Sequence, residues 1–128
     1  WKQTYRSNIT KIITASTKSG AYVLWVGLPI MKPYNYAKGE TLIDQQFALT
    51  VPKSPGATYL PTRAYTADAA GNYRRDAYVN GVLSQIRGED GIHFTSLGQS
   101  VIATYVINAM VRTYKVEIVP KGAKYITK

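Results

Sequence analysis

The run Ala21-Tyr22-Val23-Leu24-Trp25-Val26-Gly27-Leu28, closed by Pro29, decides the fold class. It is apolar almost throughout, rich in β-branched and aromatic residues, and shows no alternation. Such a run reads as a strand covered on both faces, as in a parallel sheet between helices. Upstream, Trp1, Tyr5, Ile9, Ile12 and Ile13 fall at steps of three and four, one face of an amphipathic helix that Ser19 and Gly20 end. Downstream, Lys32-Pro33-Tyr34-Asn35-Tyr36 reads as a loop. Ile43, Phe47 and Val51 then recur every four residues, predicting a second helix stopped by Pro52. Lys53-Ser54-Pro55-Gly56 is a turn, and Ala57 to Leu60 a second short strand before Pro61.

Residues 62–92 are polar, with glycines at 71, 81, 88 and 91. They read as a long loop with a helical turn around Tyr78 to Ile86, and loops of this length in compact domains are often functional. A last helix begins at Thr95 or Ser96, where Ser96 and Gln99 spell a capping box. Leu97, Val101, Tyr105 and Ala109, joined by Ile102, Val106 and Met110, give it a broad apolar face. After Tyr114 the pattern ends; Val116 to Val119 is expected as an edge strand and the remainder as a basic tail.

The order α-β-α-β-loop-α implies an α/β layer fold. Two short parallel strands do not hide both faces of Tyr22 to Leu28. Residues 1–114 therefore read as the C-terminal half of a larger domain. The missing strands are expected from upstream sequence or from another chain, and residues 115–128 form the tail.

With 128 residues the chain has the size of one domain, and 45% hydrophobic against 18% charged residues is a globular composition. The absence of cysteine excludes a disulfide framework, a thiolate metal site and a cysteine nucleophile. A single histidine, His93, argues against a histidine metal centre, so no metal and no cofactor is expected. The longest mainly apolar stretch, Gly20 to Met31, has 12 residues and contains Pro29. A membrane-spanning helix needs ~20. Because Trp1 opens the chain, a processed piece of a longer product is expected, with any signal peptide upstream. The net charge of +9 is concentrated at the two ends: residues 1–19 hold Lys2, Arg6, Lys11 and Lys18 with no acid. That distribution suits an anionic polymer or, more simply, a solvated basic surface. No nucleic-acid-binding motif is present, so nucleic acid is not an expected partner.

The chemistry concentrates in Asp90-Gly91-Ile92-His93-Phe94-Thr95, followed by Gly98 and the last helix. Aspartate and histidine three apart on a tight glycine-containing turn can set the carboxylate against one ring nitrogen. The other nitrogen is then available to take a proton from a nucleophile. The bare Asp-x-x-His pattern also fits a surface histidine beside an acid.

This segment, preceded by the strand Val-Leu-Trp-Val-Gly-Leu-Pro, resembles the C-terminal part of the SGNH (GDSL-type) serine hydrolases, closest to a bacterial exported or periplasmic branch. The likeness runs from Trp1 to Arg112. Within it Tyr59 to Tyr73, ending Asp68-Ala-Ala-Gly71-Asn72-Tyr73, resembles the stretch between the last strand and the catalytic loop. The resemblance implies part of a flavodoxin-like three-layer sheet and ester hydrolysis through an acyl-serine without a cofactor. It assigns Asp90 as acid and His93 as base of the triad. The implied substrates are acyl esters; for an exported member an O-acetylated glycan or peptidoglycan is expected, or another ester substrate.

The likeness is incomplete, since the family's Gly-Asp-Ser and Gly-x-Asn-Asp blocks are absent. None of the seven serines lies in a Gly-x-Ser-x-Gly elbow. Nucleophile and oxyanion donors are thus expected outside these residues, and the chain alone is expected to be inactive. Pro29 and Met31, with Trp25 and Gly27, lie at the C-terminal end of a parallel strand, where α/β folds bind ligands; Pro29 and Met31 are the candidates for substrate binding. Tyr34, Asn35 and Tyr36 are weaker candidates for stacking on a sugar, as are Arg74, Arg75 and Arg87 for an anion. Two rival functions remain open, a glycan O-acyltransferase on the same fold and a non-catalytic module that binds an anionic polymer.

Overall fold

The computed structural model describes residues 1–116. In chain order these form α1 (Lys2–Thr17), β1 (Val23–Val26), α2 (Tyr34–Thr50) running into a 3-10 turn (Val51–Lys53), and β2 (Ala57–Leu60). A short helix α3 (Arg63–Thr66), strands β3 (Asp76–Val79) and β4 (Val82–Gln85), and the long helix α4 (Ser96–Tyr114) follow. Strands β1 and β2 pair in parallel from Val23↔Ala57 to Val26↔Leu60. A parallel pair requires a crossover, and α2 supplies it.

Alternation along β1 sorts its side chains between two helical layers. Val23 and Trp25 pack with Ile9 and Ile13 of α1 and with Phe47 and Val51 beside them, which makes the core. Leu24 points the other way and shares a groove of about 380 Å³ with Val106, Met110 and Tyr114 of α4. Helix α4 is pinned across that face by two tyrosines: the hydroxyl of Tyr114 donates to Val23 O and that of Tyr105 to Pro61 O, each at 2.9 Å. The result is a mixed α/β arrangement of helices on both faces of a small parallel sheet, as the α/β reading requires. All four residues of β1 are half-buried.

Three local expectations are corrected. The loop expected at residues 32–36 is helix from Tyr34 onward. Pro33, at φ −65° and ψ 128°, starts α2, and its carbonyl accepts from Ala37 N. The helical turn expected at Tyr78 to Ile86 is a β-hairpin, with Val79 opposite Val82. Asn80 and Gly81 lie at φ 51° and 81°, the two positive values that a tight primed turn demands and that Asn-Gly supplies. The helix cap is Thr95, not Ser96: its hydroxyl accepts from Gly98 N at 3.1 Å. Gly98 at that position has no side chain to answer, so the reciprocal capping box does not form. Of the expected edge strand at Val116 to Val119 only Val116 is described, and the tail lies outside the described residues. Among the described residues no helix is long and apolar enough to cross a membrane.

Candidate active site

Residues 86–95 close on themselves. Thr95 N donates to Ile86 O, Gly88 N to His93 O at 2.7 Å, and Gly91 N to Gly88 O. Inside this closed loop Asp90 organises the backbone. Its Oδ1 accepts from the N–H groups of Ile92 and His93 at 2.9 and 3.0 Å, the local pairing that Asp favours in turns. Its Oδ2 lies 2.5 Å from Nδ1 of His93. The imidazole contact first, then the two backbone N–H groups, pull the Asp90 carboxyl down to about 2. An ionised carboxylate only accepts hydrogen bonds, so Nδ1 carries a proton, and in the neutral ring the lone pair is then on Nε2, across from it. The His93 side chain is 81% exposed, within reach of a partner from outside.

Gly91 is required by two observations. Its φ is +68°, and a Cβ there would stand 2.4 Å from the Cβ of Lys32. That contact joins the turn to the segment after β1, where Lys32 N donates to Gly91 O at 3.0 Å. The same segment is held at Ile30, whose N–H donates to Thr66 Oγ1 and whose carbonyl accepts from Arg87 Nη1 at 2.7 Å. The structure thus brings the Pro29–Met31 stretch against the Asp90–His93 turn, with Pro29 and Met31 themselves half-buried.

Other candidates fall elsewhere. Trp25 is a core residue, its ring 5.2 Å from that of Phe47. Tyr34 and Tyr36 are exposed on the first turn of α2. Arg75 pairs with Asp76 at 3.3 Å and Glu89 at 3.9 Å. Arg87, considered as an anion ligand, is fully buried and spends its donors on backbone carbonyls. Burial draws its pKa below the ordinary arginine value.

A buried polar group at the same end of the sheet carried no expectation. Asp44 accepts from Leu28 N at 2.9 Å and from the Tyr59 hydroxyl at 2.7 Å. Glu40 is buried beside Arg63, 3.5 Å away, and burial raises its carboxyl pKa against the pull of that guanidinium. A signal was present: Glu40, Asp44, Phe47 and Val51 are spaced four, three and four, so the carboxylates share the stripe of the core residues. No such spacing flags Arg87. Among the described residues no group of three or more His, Cys, Asp or Glu is gathered to hold a metal ion.

No curated protein matches the chain. The profile of one family, described as "Protein of unknown function (DUF459)", does match it over residues 1–109. With that match spanning most of its 128 residues, from α1 into α4, the chain belongs to the DUF459 family.

Proposed function

We propose that the chain is the C-terminal part of an SGNH-type serine ester hydrolase and supplies the acid and base of its triad. The observation that carries this reading is the Asp90–His93 pair, a carboxylate held by two backbone N–H groups and set 2.5 Å from Nδ1 of an exposed imidazole. In this reading the nucleophile is a serine outside these residues. His93 Nε2 takes the hydroxyl proton as the serine oxygen attacks the ester carbonyl carbon. It then returns that proton to the alcohol oxygen as the carbon–oxygen bond breaks. A water molecule attacks the acyl-serine, again giving its proton to Nε2; the acid leaves and the serine oxygen recovers its proton. Asp90 stays ionised throughout, fixes the tautomer and stabilises the imidazolium. The substrate class is an acyl ester, an O-acetylated glycan in first place, and the setting is outside the bacterial cytoplasm. Pro29 and Met31, on the segment tied to the turn, support a substrate wall beside His93.

The test is ester turnover by the intact protein on p-nitrophenyl acetate. His93→Ala is expected to lower kcat on the order of 10²–10⁴-fold, the usual contribution of a general base, while the fold is retained. Asp90→Asn is expected to lower it less. Wild-type turnover by the His93→Ala protein refutes the reading. Adding a glycan acceptor separates hydrolysis from transfer, since acetylated glycan forming faster than free acetate marks an acyltransferase.

A further inference from the structure

We propose that Arg87 is the positioning residue of the Asp90–His93 pair, its buried guanidinium locking the peptide planes on which the aspartate hangs; this rests on the reading of that pair as acid and base. Arg87 is 0% exposed and takes part in no ion pair among the described residues. A buried cation without a carboxylate is costly unless its donors find acceptors. Here four of the five N–H groups meet main-chain oxygens, the two shortest being Nη1 to Ile30 O and Nη2 to Ile92 O, each at 2.7 Å. Longer contacts run from Nη2 to Gly91 O and from Nε to His93 O, at 3.5 and 3.4 Å. The plane lies over two rings, Phe94 at 4.5 Å and Tyr73 at 5.2 Å.

The decisive feature is which peptide groups these are. The peptide joining Ile92 and His93 offers its oxygen to Arg87 and its N–H to Asp90 Oδ1. The peptide joining Gly91 and Ile92 does the same, with Lys32 N as a second donor to its oxygen. Arg87 and Asp90 thus grip opposite edges of two consecutive peptide planes. Rotation of either plane away from Arg87 carries its N–H away from Asp90 and releases the carboxylate that holds Nδ1. Through Ile30 the same guanidinium fixes the distance from this turn to the end of β1. Lysine cannot substitute: an ammonium on a flexible stem has no planar fork to span these oxygens and no flat face to stack on a ring.

The single histidine makes a spectroscopic test direct. In two-bond 1H–15N correlation spectra the wild-type imidazole is expected as one tautomer, protonated at Nδ1, with a far-downfield Nδ1 proton. In Arg87→Lys, with the Ile9, Ile13 and Phe47 core resonances unchanged, that proton is expected to broaden or vanish and both tautomers to appear. In the intact protein kcat is expected to fall on the order of 10–100-fold with little change in KM, the mark of a misplaced catalytic group. A folded Arg87→Lys chain with the wild-type imidazole spectrum overturns the proposal. Should Arg87→Lys not fold, the wild-type protein decides: slowly exchanging, separately resolved Nη protons with through-bond couplings to the Ile30 and Ile92 carbonyls support it, and averaged Nη protons overturn it. The imidazole readout needs no turnover, so failure of the ester assay with an intact Arg87 effect sinks the hydrolase reading alone.

Discussion

At Gly98 a Cβ would stand 2.0 Å from the carbonyl oxygen of Ile86 and 3.0 Å from the Phe94 ring. The obstacle is backbone on one side and a packed aromatic on the other, so neither yields cheaply. Gly98→Ala is expected to destabilise the fold by about 3 kcal/mol, at the upper end for overpacking, seen as a lower midpoint in urea unfolding with little change in slope. Asp90 sets a different limit. A carboxyl held at about 2 stabilises the folded turn above its unfolded value near 3.8 and loses that contribution as pH falls through about 2. The Asp90–His93 contact is therefore expected to survive at pH 4 and to be lost toward pH 2, read from the Asp90 carboxyl carbon shift. Asp90→Asn is expected to abolish that acid transition. The turn itself was legible in the sequence, because every bond Asp90 makes lies within three residues of it.

Helix α2 shows how element-scale reading fails. Its apolar residues predict a helix centred on Phe47, yet it begins at Tyr34 and buries Glu40, Asp44 and Gln46 on its inward face. The reason is that these groups find partners the local sequence does not display: Leu28 N and Tyr59 for Asp44, Arg63 for Glu40, Arg6 for Gln46. Glu40 pays for its place. Its carboxyl pKa is raised, so the folded state holds the proton more tightly than the unfolded one, and stability falls as pH rises from about 4.5 through the raised value. Glu40→Gln is expected to remove that decline and to melt higher than the wild type at neutral pH, in thermal scans from pH 4 to 8. The β3–β4 hairpin is the opposite case. Asn80-Gly81 between Val79 and Val82 is a local signal for a two-residue turn, and a loop reading of the polar stretch around it hid a feature that stereochemistry alone specifies.

At the scale of the molecule, the sheet is open. Val23 N donates to Gly56 O and Gly27 N to Leu60 O, so alternate amides of β1 face β2. Leu24 and Val26 turn theirs to the other edge, where no strand pairs among the described residues. Among the described residues that edge of β1 is left unpaired, the kind of edge on which a further strand can add. Charge is also a property of the whole. At +9, the chain is expected to bind an anionic polymer such as heparin weakly and by counterion release, so that affinity drops steeply between about 50 and 200 mM salt and is the same for His93→Ala. Affinity that resists salt, measured by fluorescence anisotropy, contradicts a purely electrostatic surface.

The α-β-α order, the parallel pair, the final helix and the Asp90–His93 turn were determined by the sequence alone. Each rests on periodicity or on bonds between near neighbours, which adjacent residues encode directly. The tertiary structure alone decided that Arg87 lies under the turn, 57 residues along the chain from the Ile30 carbonyl it holds, and that two carboxylates of α2 lie buried. Those outcomes depend on which backbone oxygens and amides converge once the layers pack, and a buried charge is tolerated only where that convergence supplies its partners.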